Sequence, residues 1–358
     1  MEQNTLHDAL VCWNALQPLS KEDEWWLQRK FVTDFNYNSN HIEGNTLTYG
    51  QTEVLLLFGK TVSQVDIQDA EFMKAHAVCL TMVREALADG MKTLTGAFIR
   101  QLHQTMLRAD YQVHRNLPGG ITTSYTVHAG KYKTRHNSVI TRYGERFDYA
   151  SPEETPAMMT DLVDWYNEER SADNLTPSQL AALFHYRFIR IHPFEDGNGR
   201  IARLLINFIL AGFGYPMLVV RSRKKNDYLD ALHATDLQVG PEPSRGARAS
   251  VADADIFVTY FQNLLAEETM MNCRFLTEHD EQTWWFDGQP VKFRSTETPR
   301  MLRIMQAQPS VSIRSLAAQL GINKSAVQKQ IKRLVEKGYI VQQPLESQKW
   351  YVAMVNGK

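Results

Sequence analysis

One short run of this sequence gathers most of the side chains that could carry out phosphate chemistry. Residues 190–210 read RIHPFEDGNGRIARLLINFIL, an apolar helical pattern interrupted by one His, two acids, two Gly and one Asn. Because Pro193 cannot donate a backbone hydrogen bond and Gly weakens a helix, one helix should end near Ile191 and another begin near Gly199. The run therefore predicts a helix–loop–helix whose loop carries the reactive groups.

The start of the second helix has the properties of an anion site. The backbone N–H groups of Gly197, Asn198 and Gly199 stand at a helix N-terminus, where they lack partners and the dipole favours negative charge. Glycine lets a ligand approach the backbone closely, as in phosphate cradles. Arg200 and Arg203 are three residues apart, so both can face one anion, and guanidinium groups suit phosphate oxygens.

Two further side chains would complete a phosphoryl- or nucleotidyl-transfer site. His192 can take a proton from an incoming hydroxyl near neutral pH, and Asp196 can hold a Mg²⁺ that bridges phosphates. Phe194 should anchor the loop in the core. Each feature alone is more often structural, since a His before Pro is usually a helix-end residue and Gly-Asn-Gly is usually a turn. Their occurrence together within twelve residues favours chemistry over packing.

The twelve residues HPFEDGNGRIAR, 192–203, resemble the signature of the Fic (filamentation induced by cAMP) family, which is His-x-Phe-x-Asp/Glu-Gly-Asn-Gly-Arg-x-x-Arg. Every defining position is filled, and the resemblance extends over the helical body from about residue 30 to residue 270. It implies a Fic-type helical bundle that transfers AMP from ATP to a Ser, Thr or Tyr hydroxyl of a protein and releases pyrophosphate.

The resemblance also implies a role for each residue of the motif. His192 is then the base that deprotonates the target hydroxyl, and Asp196 is the Mg²⁺ ligand. The nucleotide-binding residues, from the anion hole to the adenine pocket, are Gly197, Asn198, Gly199, Arg200, Arg203 and Tyr228. Within this set Asn198 lies near the α-phosphate, Arg200 holds the α/β region and Arg203 holds the γ-phosphate.

The same family has a β-hairpin flap that positions the target segment by strand addition. The hairpin-like segment GKYKTRHNSVI, residues 130–140, occupies the expected place before the motif. The residues predicted to contact the target are Gly130, Lys131, Tyr132 and Lys133. Relatives often carry Arg where this chain has Lys133.

An inhibitory segment is predicted near the N-terminus. Residues 39–45, SNHIEGN, resemble the family's pattern Ser/Thr-x-x-x-Glu-Gly/Asn, which gives inhibitory roles to Ser39 and Glu43. A carboxylate beside Arg203 would form a charge-assisted pair and occupy the partner of the γ-phosphate, so that ATP would bind with its phosphates out of line. Taken alone, the segment is a surface helix end near a Gly stop. In some relatives this Glu supports the removal of AMP, so that reaction stays open.

The C-terminal segment predicts a winged helix-turn-helix domain like those of bacterial proteins. Residues 312–320 and 324–337 have the pattern of two short helices around the turn 321–323, and strands should follow near residue 339 and within KWYVAMV. The apolar residues expected to face its core are Val327, Ile331, Leu334 and Val335. The residues expected to contact DNA, on the exposed face of the second helix, are Lys324, Ser325, Gln328, Lys329 and Lys332.

The charge distribution supports a polyanion-facing C-terminal domain. Residues 291–358 hold twelve Lys and Arg against three Asp and Glu, a balance of +9, whereas residues 1–290 carry −10. A basic block on an acidic body indicates nucleic acid or another acidic partner, although a solvated basic surface gives the same count. A winged helix that docks a protein or forms a dimer is the alternative to DNA binding.

The whole chain is that of a mainly α, globular protein with several domains. Its 358 residues are 43% hydrophobic and 22% charged, and the β signal of the first 290 residues falls between residues 119 and 149. The predicted parts are an N-terminal helical region with the inhibitory segment (1–94), a catalytic core (95–270), a linker (271–290) and the winged helix (291–358).

Cysteine use and hydropathy predict a cytoplasmic protein without membrane contact. Cys12, Cys79 and Cys273 share no metal-ligand spacing and cannot all pair, and no stretch is long enough to span a bilayer. The family resemblance adds a homodimer to this expectation.

Three functions remain open at this point. The leading one is an autoinhibited protein adenylyltransferase. The same fold also moves phosphate or phosphocholine, but Gly197 and Gly199 favour AMP because the phosphate-transferring relatives have Ala and Lys at those places. The third is a transcriptional regulator whose Fic body senses nucleotide while its winged helix binds DNA. A requirement for His192 in covalent AMP transfer would separate the third from the first.

Overall fold

The computed structural model describes residues 5–61, 65–117, 121–140, 144, 146–278, 280–343 and 349–356. The helices are α1 (Leu6–Ala15), α2 (Lys21–Ile42), α3 (Tyr49–Phe58), α4 (Ile67–Ala88), α5 (Gly96–Leu107), α6 (Thr155–Ala172), α7 (Pro177–Ile191), α8 (Asn198–Gly212), α9 (Lys225–Val239), α10 (Pro243–Gly246), α11 (Asp255–Thr277), α12 (Glu297–Ala307), α13 (Ile313–Leu320) and α14 (Lys324–Glu336). The strands are β1 (Tyr111–Leu117), β2 (Ile121–Val127), β3 (Ser138–Ile140), β4 (Arg146–Asp148), β5 (Thr283–Phe286), β6 (Gln289–Lys292), β7 (Ile340–Gln343) and β8 (Lys349–Val352).

The strands form small antiparallel pairs between neighbours in the chain: β1 with β2, β3 with β4, β5 with β6, and β7 with β8. The β signal between residues 119 and 149 is confirmed, but the first hairpin begins earlier, at Tyr111. The mainly α prediction is also confirmed.

Helix starts follow the capping chemistry of the sequence. Thr176 and Gln179 form a reciprocal capping box ahead of α7, with Pro177 at the first helical position. Thr95 caps α5 by accepting a hydrogen bond from the backbone N–H of Phe98. These local signals fix the register of the two helices that flank the candidate site.

The chain folds into two compact units, Met1–Leu10 with Ala75–Glu267, and Val11–Lys74 with Glu268–Lys358. In the first unit α7 packs against both α6 and α8. The α7–α8 pair buries large apolar side chains completely, among them Phe184, Phe188 and Leu205. This apolar contact provides a rigid base for the loop between the two helices.

Buried Arg190, near the end of α7, organises the segment after α9. Its guanidinium donates to the Asp236 carboxylate at 3.1 Å and to the carbonyls of Gly240 and Glu242 at 2.8 Å each. The segment after Gly240 contains the short helix α10, and a Cβ on Gly246 would clash with the Arg190 side chain at Nε. Glycine is therefore required where this backbone meets Arg190.

The second unit contains the winged helix. Helices α12, α13 and α14 and the β7–β8 hairpin share an apolar core with Trp284 and Trp350. Val327, Ile331 and Leu334 belong to this core as predicted, but the prediction was wrong for Val335, which is 43% exposed. It lies next to Leu334 and therefore falls off the buried i, i+4, i+7 stripe of α14.

The predicted linker at residues 271–290 is structured. Helix α11 continues to Thr277, and β5 and β6 form a hairpin in which Trp284 and Trp285 are buried. Asp287 and Gly288 make its turn with positive φ of 45° and 68°. The predicted linker thus contains the end of a helix and most of a hairpin that buries two Trp side chains; the linker and the other domain boundaries stay predictions.

Among the described residues, no helix combines the length and apolarity needed to cross a bilayer. Cys12, Cys79 and Cys273 are free thiols.

Candidate active site

The reactive motif lies in a tight reversal between α7 and α8. Helix α7 ends at Ile191, and His192 caps it with a φ of 51°, its N–H bonded to the Phe188 carbonyl at 2.9 Å. Helix α8 begins at Asn198, with Gly197 at the N-cap and a φ of 80°. The predicted helix–loop–helix is thus confirmed, with the second helix starting one residue early.

The side chain of Asn198 closes this loop. Its Oδ1 accepts from the Phe194 backbone N–H at 2.9 Å, and its Nδ2 donates to the Phe194 carbonyl at 2.8 Å. Phe194 is fully buried and stacks on His103 with ring centroids 3.8 Å apart. Both ends of the side-chain amide hold Phe194, so the backbone amide of Asn198, at the helix start, is the group available to an anion hole. The predicted place of Asn198 near the α-phosphate stays a prediction.

The N-terminus of α8 is strongly electropositive. Arg200 and Arg203 are 5% and 1% exposed, and no side chain caps the helix. Burial, followed by the charges of these two guanidinium groups, holds the pKa of His76 well below its usual value. A Cβ on Gly197 would lie 2.4 Å from Met106 Cε, so the chain leaves no room for a side chain at this turn. These features suit a bound anion.

Asp196 is held as a carboxylate at the mouth of this cradle. Its Oδ2 accepts from the Tyr111 hydroxyl at 2.8 Å and pairs with Arg200 at 2.9 Å. Burial alone would raise the pKa of Asp196, but Arg200 and the Tyr111 hydrogen bond outweigh it and keep the pKa below its usual value. Its side chain is 42% exposed, so one face of the carboxylate can still meet a ligand.

His192 forms one wall of an open pocket of about 270 Å³. Its ring stacks on Tyr149 with centroids 3.9 Å apart, and Arg135, Ser138 and Glu195 line the pocket beside it. Burial, with a further contribution from the Lys133 charge, lowers the pKa of His192 to about 3. The imidazole is therefore neutral at physiological pH, as a proton acceptor must be.

The predicted target-binding residues mostly face inward. Gly130 donates its N–H to His103 Nδ1 at 2.9 Å, Tyr132 packs near Arg100 and Phe194, and Lys133 is 3% exposed. Only Lys131 is exposed. The hairpin predicted for residues 130–140 is found only from β3 onward, because the preceding backbone is bonded to the motif loop instead of to a partner strand. The target contacts of residues 130–133 stay a prediction, and the residues after them that face solvent are 134–136 and 138–139.

Two side chains that the sequence analysis missed, those of His103 and Glu195, connect residues 130–134 to the motif at residues 192–203 by hydrogen bonds. His103 accepts from Gly130 at Nδ1 and lies 3.0 Å from the Asp196 carbonyl at Nε2, so its neutral form carries the proton on Nε2. Glu195, inside the motif, accepts from the backbone N–H and hydroxyl of Thr134 at 2.9 Å each. The contacts of His103 join residues far apart in sequence, so no local pattern marks them.

Tyr228 does not line an open pocket. It is 3% exposed, and its hydroxyl lies 2.9 Å from His185 Nε2 within an aromatic cluster that includes Phe257 and Tyr260. Its predicted adenine contact stays a prediction, although α9 directs the ring into this cluster. His185 is buried with it, and burial followed by the Arg203 charge lowers the pKa of His185 to about 3.

The inhibitory segment ends α2 in the second unit. Ser39 is buried within the helix, Glu43 is exposed at its C-cap, and Gly44 turns the chain with a φ of 96°. The predicted helix end at this point is confirmed. On α14 and its N-cap, the residues predicted to contact DNA are all exposed: Lys324, Ser325, Gln328, Lys329 and Lys332.

The buried histidines predict a loss of stability in acid. The pKa values of His103, His185 and His192 are lowered to about 4, 3 and 3, with burial as the largest cause in each. Between those values and 6.5 the unfolded chain binds more protons than the folded one, so stability falls as the pH falls through this window. Thermal unfolding should show a melting temperature several degrees lower at pH 5 than at pH 7; a melting temperature that is unchanged or higher at pH 5 would contradict these neutral histidines.

Two family models match the chain. The Fic/DOC family model matches residues 93–210, and a winged helix-turn-helix DNA-binding model matches residues 299–341. Among curated relatives, protein adenylyltransferase fic-1 of Caenorhabditis elegans is 31% identical over 234 residues, which cover 65% of this chain and 42% of that protein. Protein adenylyltransferase Fic of Nematostella vectensis is 28% identical over 197 residues, covering 55% of this chain and 42% of that protein. The chain thus spans about two-fifths of the length of these relatives.

Solved structures show the same likeness. A Fic domain containing signaling protein from Bacteroides thetaiotaomicron is 49% identical, with a TM-score of 0.69 over 75% of this chain and 95% of that one. Fic-1 from C. elegans shares the fold at 24% identity, with a TM-score of 0.59 over 75% of this chain and 70% of that one. The motif at residues 192–203, the helical fold around it and these likenesses agree: the chain belongs to the Fic/DOC family.

Proposed function

We propose that this protein transfers AMP from ATP to a hydroxyl group of a protein, including its own chain. The observation that carries the proposal is a neutral imidazole at a solvent-open pocket, five residues before a helix N-terminus that bears two buried guanidinium groups. The curated relatives named protein adenylyltransferase support it.

The chemistry assigns one task to each group. The triphosphate of ATP lies along the N-terminus of α8, where the amides of Gly197 and Gly199 and the side chains of Arg200 and Arg203 neutralise its charge. An acceptor hydroxyl enters the pocket and gives its proton to His192. Its oxygen bonds to the α-phosphorus as the bond to the bridging oxygen breaks, and pyrophosphate leaves with that electron pair. Bound nucleotide is anionic, so it raises the proton affinity of the imidazole during the reaction.

The residues present fit a magnesium ion shared with phosphates. Mg²⁺ usually takes one or two carboxylates plus phosphate oxygens and water, and Asp196 is an ionised, partly exposed carboxylate beside the cradle. The described residues contain no group of three acidic, His or Cys side chains that would form an all-protein cage. Asp196 would therefore hold the ion, which would supply charge neutralisation of the phosphates.

The acceptor reaches His192 along β3. The β3–β4 sheet has two strands among the described residues, so β3 presents an open edge next to the pocket. An extended target segment adding to that edge would place a Ser, Thr or Tyr hydroxyl near the imidazole. The exposed side chains beside it, Arg135 and His136, favour a target segment with acidic residues next to the hydroxyl.

We further propose that Glu43 restrains this activity. The sequence pattern at residues 39–45 supports the restraint, and a carboxylate paired with Arg203 would occupy the γ-phosphate site. Removal of AMP by the same site, a homodimeric assembly and a cytoplasmic location stay predictions.

The anion cradle is tested by Gly197→Ala. The new Cβ meets Met106 and alanine must keep a positive φ, so the turn should shift out of its place beside the phosphate. We expect ATP affinity to fall about fivefold by calorimetric titration, equivalent to about 1 kcal/mol. The matched control is Gly214→Ala after the other end of α8, where φ is 75° and nothing lies within 4 Å of the added Cβ. Equal affinities for the two variants would rule out close approach of phosphate to Gly197.

A second function, DNA binding, is favoured by the winged-helix model match and the exposed basic face of α14. Mobility shift of mixed-sequence duplex DNA across a salt series tests it, since phosphate contacts weaken steeply with salt. No retardation even at low salt would favour a protein partner for this domain.

A further inference from the structure

Two residues that precede β3 donate hydrogen bonds to the backbone carbonyls at the end of α7 and in the loop that follows it. Lys133 Nζ donates to the Ile191 carbonyl at 3.0 Å, and the Lys133 backbone N–H donates to the Pro193 carbonyl at 2.8 Å. Asn137 Nδ2 lies 3.4 Å from the His192 carbonyl and 3.1 Å from the Phe194 carbonyl. The carbonyls of residues 191 to 194 are thus all held by these two residues.

The two gripping side chains also orient each other. Lys133 Nζ donates to Asn137 Oδ1 at 2.8 Å, which turns the Asn137 amide so that its NH₂ faces the loop carbonyls. The ammonium group stands at the C-terminus of α7, where the helix dipole favours a cation and lysine can satisfy the last carbonyls. Burial lowers the pKa of Lys133 to about 7, while the charges of Glu154 and Glu195 oppose this shift and favour the ammonium form.

His192 needs such support because of its backbone. Its φ of 51° lies in the left-handed region, which a non-glycine residue keeps only where its surroundings determine the conformation. Asn137 is followed by Ser138, the first residue of β3. The hydrogen bonds of Lys133 and Asn137 therefore connect the edge of β3, where the target segment is proposed to bind, to the backbone of His192.

We propose that Lys133 and Asn137 are positioning residues for AMP transfer, which fix the backbone of His192 and link target docking on β3 to the orientation of the imidazole. This inference depends on the proposed transfer reaction. It reassigns Lys133 from a target contact to a support of the base.

The test compares variants in the Glu43→Gly chain, which lacks the carboxylate proposed to inhibit transfer. We expect Lys133→Met to lower kcat about 10- to 100-fold with KM for ATP nearly unchanged, and Lys133→Arg to restore most of the rate. Asn137→Leu should act in the same direction, and Lys92→Met, at an exposed lysine of the same unit outside the candidate site, should keep the parent rate. The acid limb of the pH profile should move to higher pH in Lys133→Met, since the cation that lowers the pKa of His192 is gone.

A parent-like kcat in folded Lys133→Met or Asn137→Leu would overturn the positioning role while leaving AMP transfer intact. The positioning role would also be overturned if Lys133→Met lowers ATP affinity and melting temperature together with kcat and Lys133→Arg does not restore them. Lys133 would then only stabilise the fold. If the Glu43→Gly parent with intact His192 transfers no AMP, the proposed function itself fails.

An independent observation concerns the second unit, where the inhibitory segment packs on the winged helix. Asn38, one residue before Ser39, donates to the Asp287 carboxylate at 2.7 Å, and the ring of Tyr49 lies 4.6 Å from that of Phe286. Helix α3 continues this contact: Val54 shares an apolar cluster with Tyr351 and Val341, and Phe58 meets Tyr351 at 5.0 Å between ring centroids. The helix that carries Glu43 and the helix after it are thus fixed to the β5–β6 and β7–β8 hairpins.

We infer that the winged-helix domain controls AMP transfer by holding the Glu43 segment in place through α3. This inference depends on the proposed AMP transfer and on the proposed inhibitory role of Glu43. The contact between α3 and the β7–β8 hairpin leaves no space for an added atom at Gly50, where a Cβ would lie 2.5 Å from Val341 Cγ2. Strain placed there should therefore reach α2 without touching a catalytic residue.

Gly50→Val and Tyr351→Ala should raise AMP incorporation by the full chain about fivefold or more, and neither should add to the rate in the Glu43→Gly background. Val335→Ala, on the exposed face of α14, is the matched control and should keep the wild-type rate. The inference would be overturned if folded Gly50→Val or Tyr351→Ala, each with a cooperative unfolding transition, shows an unchanged or lower rate while Glu43→Gly activates. That result would leave the inhibitory role of Glu43 intact. Failure of Glu43→Gly to activate would overturn the brake and the inference together.

Discussion

Replacing His192 by Ala in the Glu43→Gly chain should lower the rate of AMP transfer by about 10³-fold while ATP still binds. The imidazole is the group at the pocket that is neutral, close to the acceptor edge and able to take a proton, and Ala removes it without adding charge. Its stacking partner Tyr149 and the loop contacts of Asn198 remain, so the cradle should keep its shape. Rates of labelled AMP incorporation and calorimetric titration with ATP measure the two effects separately.

The control for this result is Tyr149→Phe, which keeps an aromatic ring against His192. It should retain most of the activity, since the tyrosine hydroxyl is not assigned to the reaction. The lowered pKa of His192 in the nucleotide-free protein also predicts that kcat/KM for ATP persists as the pH falls below 6.5, because the folded group stays neutral there. Transfer that survives in His192→Ala would show that another group accepts the proton.

Glu43→Gly should raise AMP incorporation by one to two orders of magnitude, about 10- to 100-fold. In the proposed restraint, the carboxylate would compete with the γ-phosphate of ATP for Arg203, and glycine at position 43 removes that charge. Glu43 caps α2 through its backbone, so the substitution changes the side chain at a helix end that already precedes Gly44. Labelled AMP on the chain, followed over time for wild type and variant, measures the gain.

The matched control is Glu24→Gly in the first turn of the same helix, which removes a carboxylate away from the segment. It should leave AMP incorporation near the wild-type rate. Equal rates for wild type and Glu43→Gly would mean that this carboxylate does not restrain the site, and the resemblance of residues 39–45 to an inhibitory pattern would then be a coincidence of sequence.

The motif itself could be predicted from sequence because its features are local. Pro193, two glycines and the apolar flanks fix where α7 ends and α8 begins, and the structure confirms both points within one residue. Capping at Thr95 and Thr176 was predictable for the same reason, since a side chain three residues away supplies or receives the hydrogen bond.

The contacts that the sequence could not show join residues distant in sequence. Nothing local shows that Lys133 reaches the carbonyl of Ile191, that the Asn198 amide closes on Phe194, or that Tyr228 turns toward His185. Each of these side chains was assigned to a ligand on type and position, and each is used by the fold. Burial of a polar side chain demands partners, and only the tertiary structure shows which ones it finds.

One element that the sequence analysis missed had a visible signal. Asp287-Gly288 stands between apolar residues in TWWFDGQPVKF, and Asp-Gly between such runs is typical of a two-residue hairpin turn. The β5–β6 hairpin overlaps the predicted linker, and its Phe286 and Asp287 contact α3 and α2. The position of the hairpin against those helices could not have been predicted from the turn signal alone.

The most direct test of AMP transfer uses two labels of ATP on the Glu43→Gly chain. With the label on the α-phosphate, radioactivity should stay covalently attached to protein, and His192→Ala should abolish it. With the label on the γ-phosphate, the protein should stay unlabelled because that phosphorus leaves in pyrophosphate. Protein labelled from the γ-phosphate, or from neither position, would contradict AMP transfer at this site.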